Sequence, residues 1–245
     1  MIPWRVLRAI CLVLLLAPVV HLTYLVARDT TATLDASPEA WAPHMAAYVR
    51  EDQSTTLPER PIEVVGGHRV TLWRGLEPLL APRPVLMRGL GNATIDDIAH
   101  HYERLVAYYR PDTLVVMPGD SDFHLRDNKD AAQLAGAVRD LVALDAGFAR
   151  TRRIYVISPL KTPLHPGDRE RVEASTRLLQ EWARGDARVE ILDANALLCD
   201  AEGNPDPAYF RFDGLNLNEH GYLRLSLLLK SALEAEEPIA GNAET

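Results

Sequence analysis

Residues that could do chemistry gather in four short segments, three after apolar runs and the fourth opening the last helical stretch. They are Val65-Gly66-Gly67-His68, Arg88-Gly89-Leu90-Gly91-Asn92, Pro118-Gly119-Asp120-Ser121-Asp122 and Asp213-Gly214-Leu215-Asn216. A histidine oriented by a carboxylate can take a proton from water, and a serine beside such a base becomes a nucleophile. Glycines let backbone amides approach a developing oxyanion. His68 is the candidate base if folding brings Asp213, Asp120 and Asp122 near it, and Ser121 offers a hydroxyl. Such groups could also hold a metal. No H-x-x-x-H or Cys/His ligand spacing occurs, so no metal is expected, and the aspartates are expected as turn residues. His100 and His101 fall within a helical stretch. His220 lies about one helical turn beyond Asn216 and is expected to point elsewhere. Asp127 and Asp130 border a loop and are expected to cap a helix or stay solvated.

The elements that would position these segments alternate in type. Short runs rich in Val, Ile and Leu, bounded by Gly, Pro or Asp, predict strands over Ile62 to Val65, Pro84 to Met87, Thr113 to Met117, Arg153 to Ile157 and Val189 to Leu192. Between them, helical spacing predicts helices over Ile95 to Tyr109, Asp130 to Arg150, Asp168 to Arg184 and Glu219 to Leu233. The first places Ile98, Leu105 and Tyr108 on one side, with Asn92 or Thr94 as N-cap. The alternation implies a parallel sheet with helices on both faces and right-handed crossovers. Function in such sheets sits at the carboxyl ends of the strands, where the glycine-rich segments fall.

The N-terminus reads differently. Arg5 and Arg8 precede an apolar run from Ile10 to Ala27, roughly the ~17–20 residues of a thin or untilted membrane span. Basic residues ahead of the run favour an N-inside anchor, which exports the rest of the chain; a cleaved signal peptide is the alternative. The expectation is a single-pass inner-membrane protein with its domain in the periplasm, or a secreted one after cleavage. Residues 1–28 form the anchor, 29–60 a linker with a short helix from Pro38 to about Glu51, 61–235 the domain, and 236–245 a disordered tail. The formal charge of −8 and the lack of any Lys/Arg run argue against a nucleic-acid partner. Cys11 lies in the apolar run and Cys199 is a lone thiol, so no disulfide framework exists.

Taken in order, the four segments resemble the sequence blocks of the SGNH/GDSL hydrolases, over about residues 60 to 233. The first block, through Leu72-Trp73, is similar to bacterial members reading G-S-S-S-I-R-L-W, with Trp73 expected in the core. The resemblance implies a flavodoxin-like three-layer α/β/α sandwich around a parallel sheet of about five strands, and no cofactor. It also implies an ester-hydrolysing site, and there this chain departs from the pattern. The position of the nucleophilic serine holds His68, that of the oxyanion-hole asparagine Ser121, and that of the triad histidine Asn216. Gly91 and Asp213 match the oxyanion-hole glycine and the triad aspartate. Gly66, Gly67, Asn92, Gly119, Asp120 and Asp122 would line the pocket.

The tripeptide Gly119-Asp120-Ser121 spells the family's name, but the blocks upstream of it make it the third block. An amide at 216 cannot accept a proton, and loss of one triad member already costs orders of magnitude in rate. The expectation is therefore a degenerate member that binds a glycan, an acyl group or an envelope-protein segment, with His68 filling and hydrogen-bonding the old pocket. The rivals are an ester hydrolase in which His68 and Asp213 activate water, and a structural partner acting through the anchor and the helix near residues 38–51.

Overall fold

The computed structural model describes residues 3–34, 37–124, 126–148 and 151–236. The chain divides into two compact units, Met1–Ala40 and Trp41–Thr245. In the first, helix α1 (Trp4–Leu34) contains an apolar stretch, Trp4–Ala27, of 24 residues. At 1.5 Å per residue that is about 36 Å, long and apolar enough to cross a membrane. The segment from Arg28, expected as linker, stays helical to Leu34. It holds no glycine or proline to end the helix before Pro38.

The second unit begins with a 3-10 turn that ends at Trp41 and with α2 (Ala42–Ser54). The elements that follow are β1 (Ile62–Gly66), α3 (His68–Leu72), α4 (Leu76–Leu80), β2 (Val85–Gly89), α5 (Ile95–His100), α6 (Tyr102–Leu105) and β3 (Thr113–Met117). Then come α7 (Ala131–Gly147), β4 (Arg153–Ile157), α8 (Arg169–Ala183), β5 (Val189–Leu192), α9 (Asn195–Leu198) and α10 (Glu219–Glu236). The strands form one parallel sheet in the order β2-β1-β3-β4-β5, the flavodoxin-like order expected. Ile62 pairs with Val85 on one side and Thr113 on the other, so the ends of β1, β2 and β3 lie level.

Alternation along the strands sends side chains to two apolar layers. Val64, Val115, Met117, Tyr155 and Ile157 pack with Trp73, Leu76, Leu225 and Leu229 under α3, α4 and α10. Helices α5, α7 and α8 pack successively against one another, with α5 against β1 and α8 against β5. Each fully buried Leu, Val or Ile contributes about 1.5–3 kcal/mol, which is why a strand of five such residues is sharply defined. Trp73 is in the core as expected, its Nε1 donating to Ser226 Oγ at 2.8 Å.

Three expectations need correction. The single helix over Ile95 to Tyr109 is broken into α5, α6 and a 3-10 turn. Thr94 caps α5 in a capping box with Asp97, while Asn92 takes a left-handed backbone (φ 60°) in the preceding turn. After the break Tyr109 is buried and Tyr108 is 54% exposed, the reverse of the expected face. The helix expected from Pro38 to about Glu51 is present as the 3-10 turn and α2, and it packs on the domain instead of standing apart with the linker. Trp41 and Met45 are buried, Tyr48 donates to Gly89 O at 2.6 Å, and Asp52 pairs with Arg88 and Arg104. Helix α10 runs to Glu236, and the remainder of the expected tail lies outside the described residues.

Candidate functional site

The loops after β1, β2 and β3 are pressed together by glycines. A Cβ on Gly66 would meet Met117 O at 2.4 Å, and one on Gly67 would meet Ala93 O at 3.1 Å. Gly119 is less tightly set, its Cβ position in ordinary contact at 3.6 Å from Ala93 O and 3.9 Å from Gly67 Cα. The fourth segment joins the first where Arg69 Nη2 donates to Leu215 O at 3.0 Å, and its Gly214, at a left-handed φ of 64°, accepts from Leu164 N in the loop after β4 at 3.0 Å. The four segments therefore meet at the carboxyl edge of the sheet. Gly119-Asp120-Ser121 follows β3, the third strand in chain order, so Ser121 does not occupy the first-block position.

His68 opens α3 and is exposed. Its ring lies against the second loop, with Nδ1 3.8 Å from where a Cβ on Gly91 would sit. Among the described residues its side chain makes no hydrogen bond, so the expected bonded, pocket-filling histidine is not found. The Gly91 carbonyl is turned away to Trp41 Nε1, which donates to it at 2.9 Å. Together with the Tyr48 bond to Gly89, this makes α2 a brace behind the second loop. Ser121 is buried in the 3-10 turn Asp120–Asp122.

Asp122 is a scaffold group. Fully buried, it accepts from Ile95 N at 3.0 Å and Gly119 N at 3.3 Å, with Lys129 Nζ 3.4 Å away. Burial pushes its carboxyl up to about 6 against the pull of those amides and the ammonium. Lys129 sits among Asp96, Asp122 and Asp127, so this acidic cluster carries its own cation. Asp130 caps α7 as expected, while Asp127 pairs with Lys129.

Asp213 and Asn216 face each other. Asp213 Oδ1 accepts from the amides of Leu215 (2.8 Å) and Asn216 (2.9 Å), and Oδ2 accepts from Asn216 Nδ2 at 2.8 Å. Burial alone would raise this carboxyl, but the Asn216 and backbone bonds outweigh it and hold the group below the usual carboxylate range. The asparagine amide thus occupies the place where an imidazole would donate to the aspartate, but it has no lone-pair nitrogen to pass a proton onward. His220, on α10, is exposed. Buried Arg69 ties the first segment to the fourth. Its Nη2 donates to Leu215 O at 3.0 Å and its carbonyl accepts from Tyr222 at 2.9 Å. Burial pulls the guanidinium pKa down, and the charges of Asp120 and Asp213 oppose that.

A second constellation escaped the sequence. Asp120, His124 and His165 bring one donor atom each to within 4.8 Å of one another, all partly buried. The two imidazoles stack, with ring centroids 3.8 Å apart and planes at 18°. His165 Nε2 lies 3.7 Å from Asp120 Oδ2, and His124 Nε2 is hydrogen-bonded to Asp168. Asp168 is in turn held by Arg171 Nη2 at 2.5 Å, which also lies 3.4 Å from His124 Nε2. Those bonds outweigh the effect of burial and hold the Asp168 carboxyl below its usual range. The only signals in the sequence were the spacings Asp120-x-x-x-His124 and His165-x-x-Asp168, in loops after different strands.

No family model and no curated protein matches this chain. Solved structures do. One from Streptococcus pneumonia, provisionally named a platelet activating factor, is 18% identical with a TM-score of 0.66, covering 78% of this chain and 92% of that one. A GDSL-like lipase from Bacteroides thetaiotaomicron is 17% identical with a TM-score of 0.63, covering 78% and 97%. A catalytic mutant of an acetylxylan esterase from Geobacillus stearothermophilus is 15% identical with a TM-score of 0.56, covering 72% and 95%. The described part of the second unit therefore has the SGNH/GDSL hydrolase fold.

Proposed function

We propose, on the premise of that fold, that the chain is a membrane-anchored, extracytoplasmic pseudo-hydrolase that keeps the pocket of an esterase for binding. One observation carries the reading: Asp213 is closed on Asn216 and two backbone amides. A triad needs the aspartate to orient a base that reaches a hydroxyl, and here both ends of the relay are gone. His68 stands where the hydroxyl is needed, and an imidazole there cannot form the usual acyl-enzyme. The ligand is a glycan, an acyl group or an envelope-protein segment; the acetylxylan esterase among the similar folds favours an acylated glycan. Arg5 and Arg8 ahead of the apolar helix support the extracytoplasmic placement. An ester hydrolase in which His68 and Asp213 activate water is disfavoured, because no hydrogen bond joins them among the described residues. The structural-partner reading loses its helix, since α2 spends its buried residues on its own domain.

The test uses the full-length chain with a fluorophosphonate probe and short acyl esters. No labelling and no turnover above blank are expected. The triple variant His68→Ser, Ser121→Asn, Asn216→His is expected to gain labelling and at least about 100-fold in turnover over the parent, a fraction of what an intact triad supplies. Labelling of the parent that Ser121→Ala abolishes, or turnover that His68→Ala abolishes, overturns the proposal.

A further inference from the structure

We propose that Asp120, His124 and His165 form a binding site for a first-row divalent transition cation of the zinc class, at the carboxyl edge of the sheet beside the old ester site. The donor set is two imidazoles and one carboxylate, which suits zinc and its neighbours and not magnesium or calcium, whose ligands are oxygens. The donors come from the loops after the adjacent strands β3 and β4, so two sequence-distant loops converge on one point. A tetrahedral site with zinc–ligand bonds of about 2.0–2.1 Å needs donors roughly 3.3 Å apart. The present spread of up to 4.8 Å closes to that by rotation of partly exposed side chains.

Two further features belong to a built site. His124 commits Nε2 to Asp168, which leaves Nδ1 as its free nitrogen, and Arg171 fixes Asp168. A carboxylate holding the far nitrogen of a histidine is the support that metal-binding imidazoles ordinarily have, because it sets the tautomer and the ring orientation. The second feature is the closeness of the imidazoles, 3.8 Å between centroids, to each other and to two carboxylates; since ring lone pairs lie in plane, one ring must tilt out of the stack for both to reach one cation. The nearby cluster of Asp96, Asp122 and Asp127 offers no such opening, since Lys129 already fills it. With three protein ligands, coordination positions remain for water or a ligand oxygen. The site uses none of the residues at which ester hydrolysis is proposed to be lost, so the two proposals stand or fall separately.

The full-length chain, purified in detergent without a polyhistidine tag and stripped with chelator, is titrated with Zn2+ against a chromogenic competitor. One equivalent with a Kd below about 10 µM is expected, and Co2+ should give the absorption of an imidazole-ligated ion. His165→Ala and His124→Ala should each weaken binding at least about 30-fold, and Asp168→Asn by about 10-fold. His68→Ala and Cys199→Ser should leave it unchanged. His165 is on a partly exposed loop, and far-UV circular dichroism checks that its variant is folded; if His124→Ala unfolds, His165→Ala alone decides. Binding weaker than about 10 µM, or binding that survives His165→Ala, or binding that Cys199→Ser removes, overturns the proposal.

Discussion

Two halves of the same sheet edge have gone in opposite directions. Around β1 and the start of α10, polar groups are turned on each other: Asp213 on Asn216, and Arg69 on a backbone carbonyl. Around β3 and β4, the imidazoles of His124 and His165 stack with free ring nitrogens beside Asp120. On the proposed reading the first half holds the positions of the hydrolase's catalytic groups, and there Asp213 is paired with the amide of Asn216. Of the second half only Asp120 was among the expected site residues, yet with His124 and His165 it holds groups that can accept a proton or a cation. Position in a fold does not fix reactivity; unsatisfied lone pairs in a supported geometry do.

The largest effect is expected at Asp122, which ties the loop after β3 to the start of α5 by accepting from the amides of Ile95 and Gly119. Asp122→Ala leaves those amides and Lys129 without their buried partner, and should cost about 3–5 kcal/mol in chemical denaturation while disturbing the Asp120 side of the comparison. The pH dependence is a milder probe of the same residue. Its folded-state value of about 6 lies above the ordinary unfolded value, so its contribution is complete at low pH and declines as pH rises through about 6. Roughly 2–3 kcal/mol should be lost between about pH 4 and pH 7 on this account, and Asp122→Asn should flatten that slope in unfolding curves.

Smaller changes sharpen the contrast. Asp213→Ala removes the acceptor of two backbone amides at an exposed turn, and should cost about 1 kcal/mol in thermal melts without touching cation affinity. His165→Ala should leave the unfolding midpoint within about 0.5 kcal/mol of the parent, because it fills no core position. A large loss of stability there would mean that the stacked pair is packing and not a site.

Most of the fold was legible. Thr113–Met117, Arg153–Ile157 and Val189–Leu192 are strands over the expected residues, because short runs of branched apolar residues between breakers suit a doubly covered sheet. The helix after Asn92 was misread because its register answers to tertiary contacts: Tyr102 donates to buried Asp145 at 2.9 Å, and the chain turns at His101 and Val106 to allow it. The four site segments were legible because three follow strands and the fourth leads into α10, each marked by its own glycine or aspartate. His124, His165 and Asp168 were not, since proximity across β3 and β4 leaves no short spacing to read. The role of α2 was hidden for the same reason: Trp41 and Tyr48 looked like one amphipathic face, and nothing local named the Gly89 and Gly91 carbonyls as their partners.

Those two bonds set a practical boundary for any fragment of this protein. A truncation placed just before β1, where the sheet begins, would discard Trp41 and Tyr48 and expose the backbone they hold. The loop that carries Gly91 would then be free to relax, and a ligand screen on such a fragment would report on a pocket with one wall loosened. A soluble version should begin ahead of Trp41, even though the first strand lies some way further along.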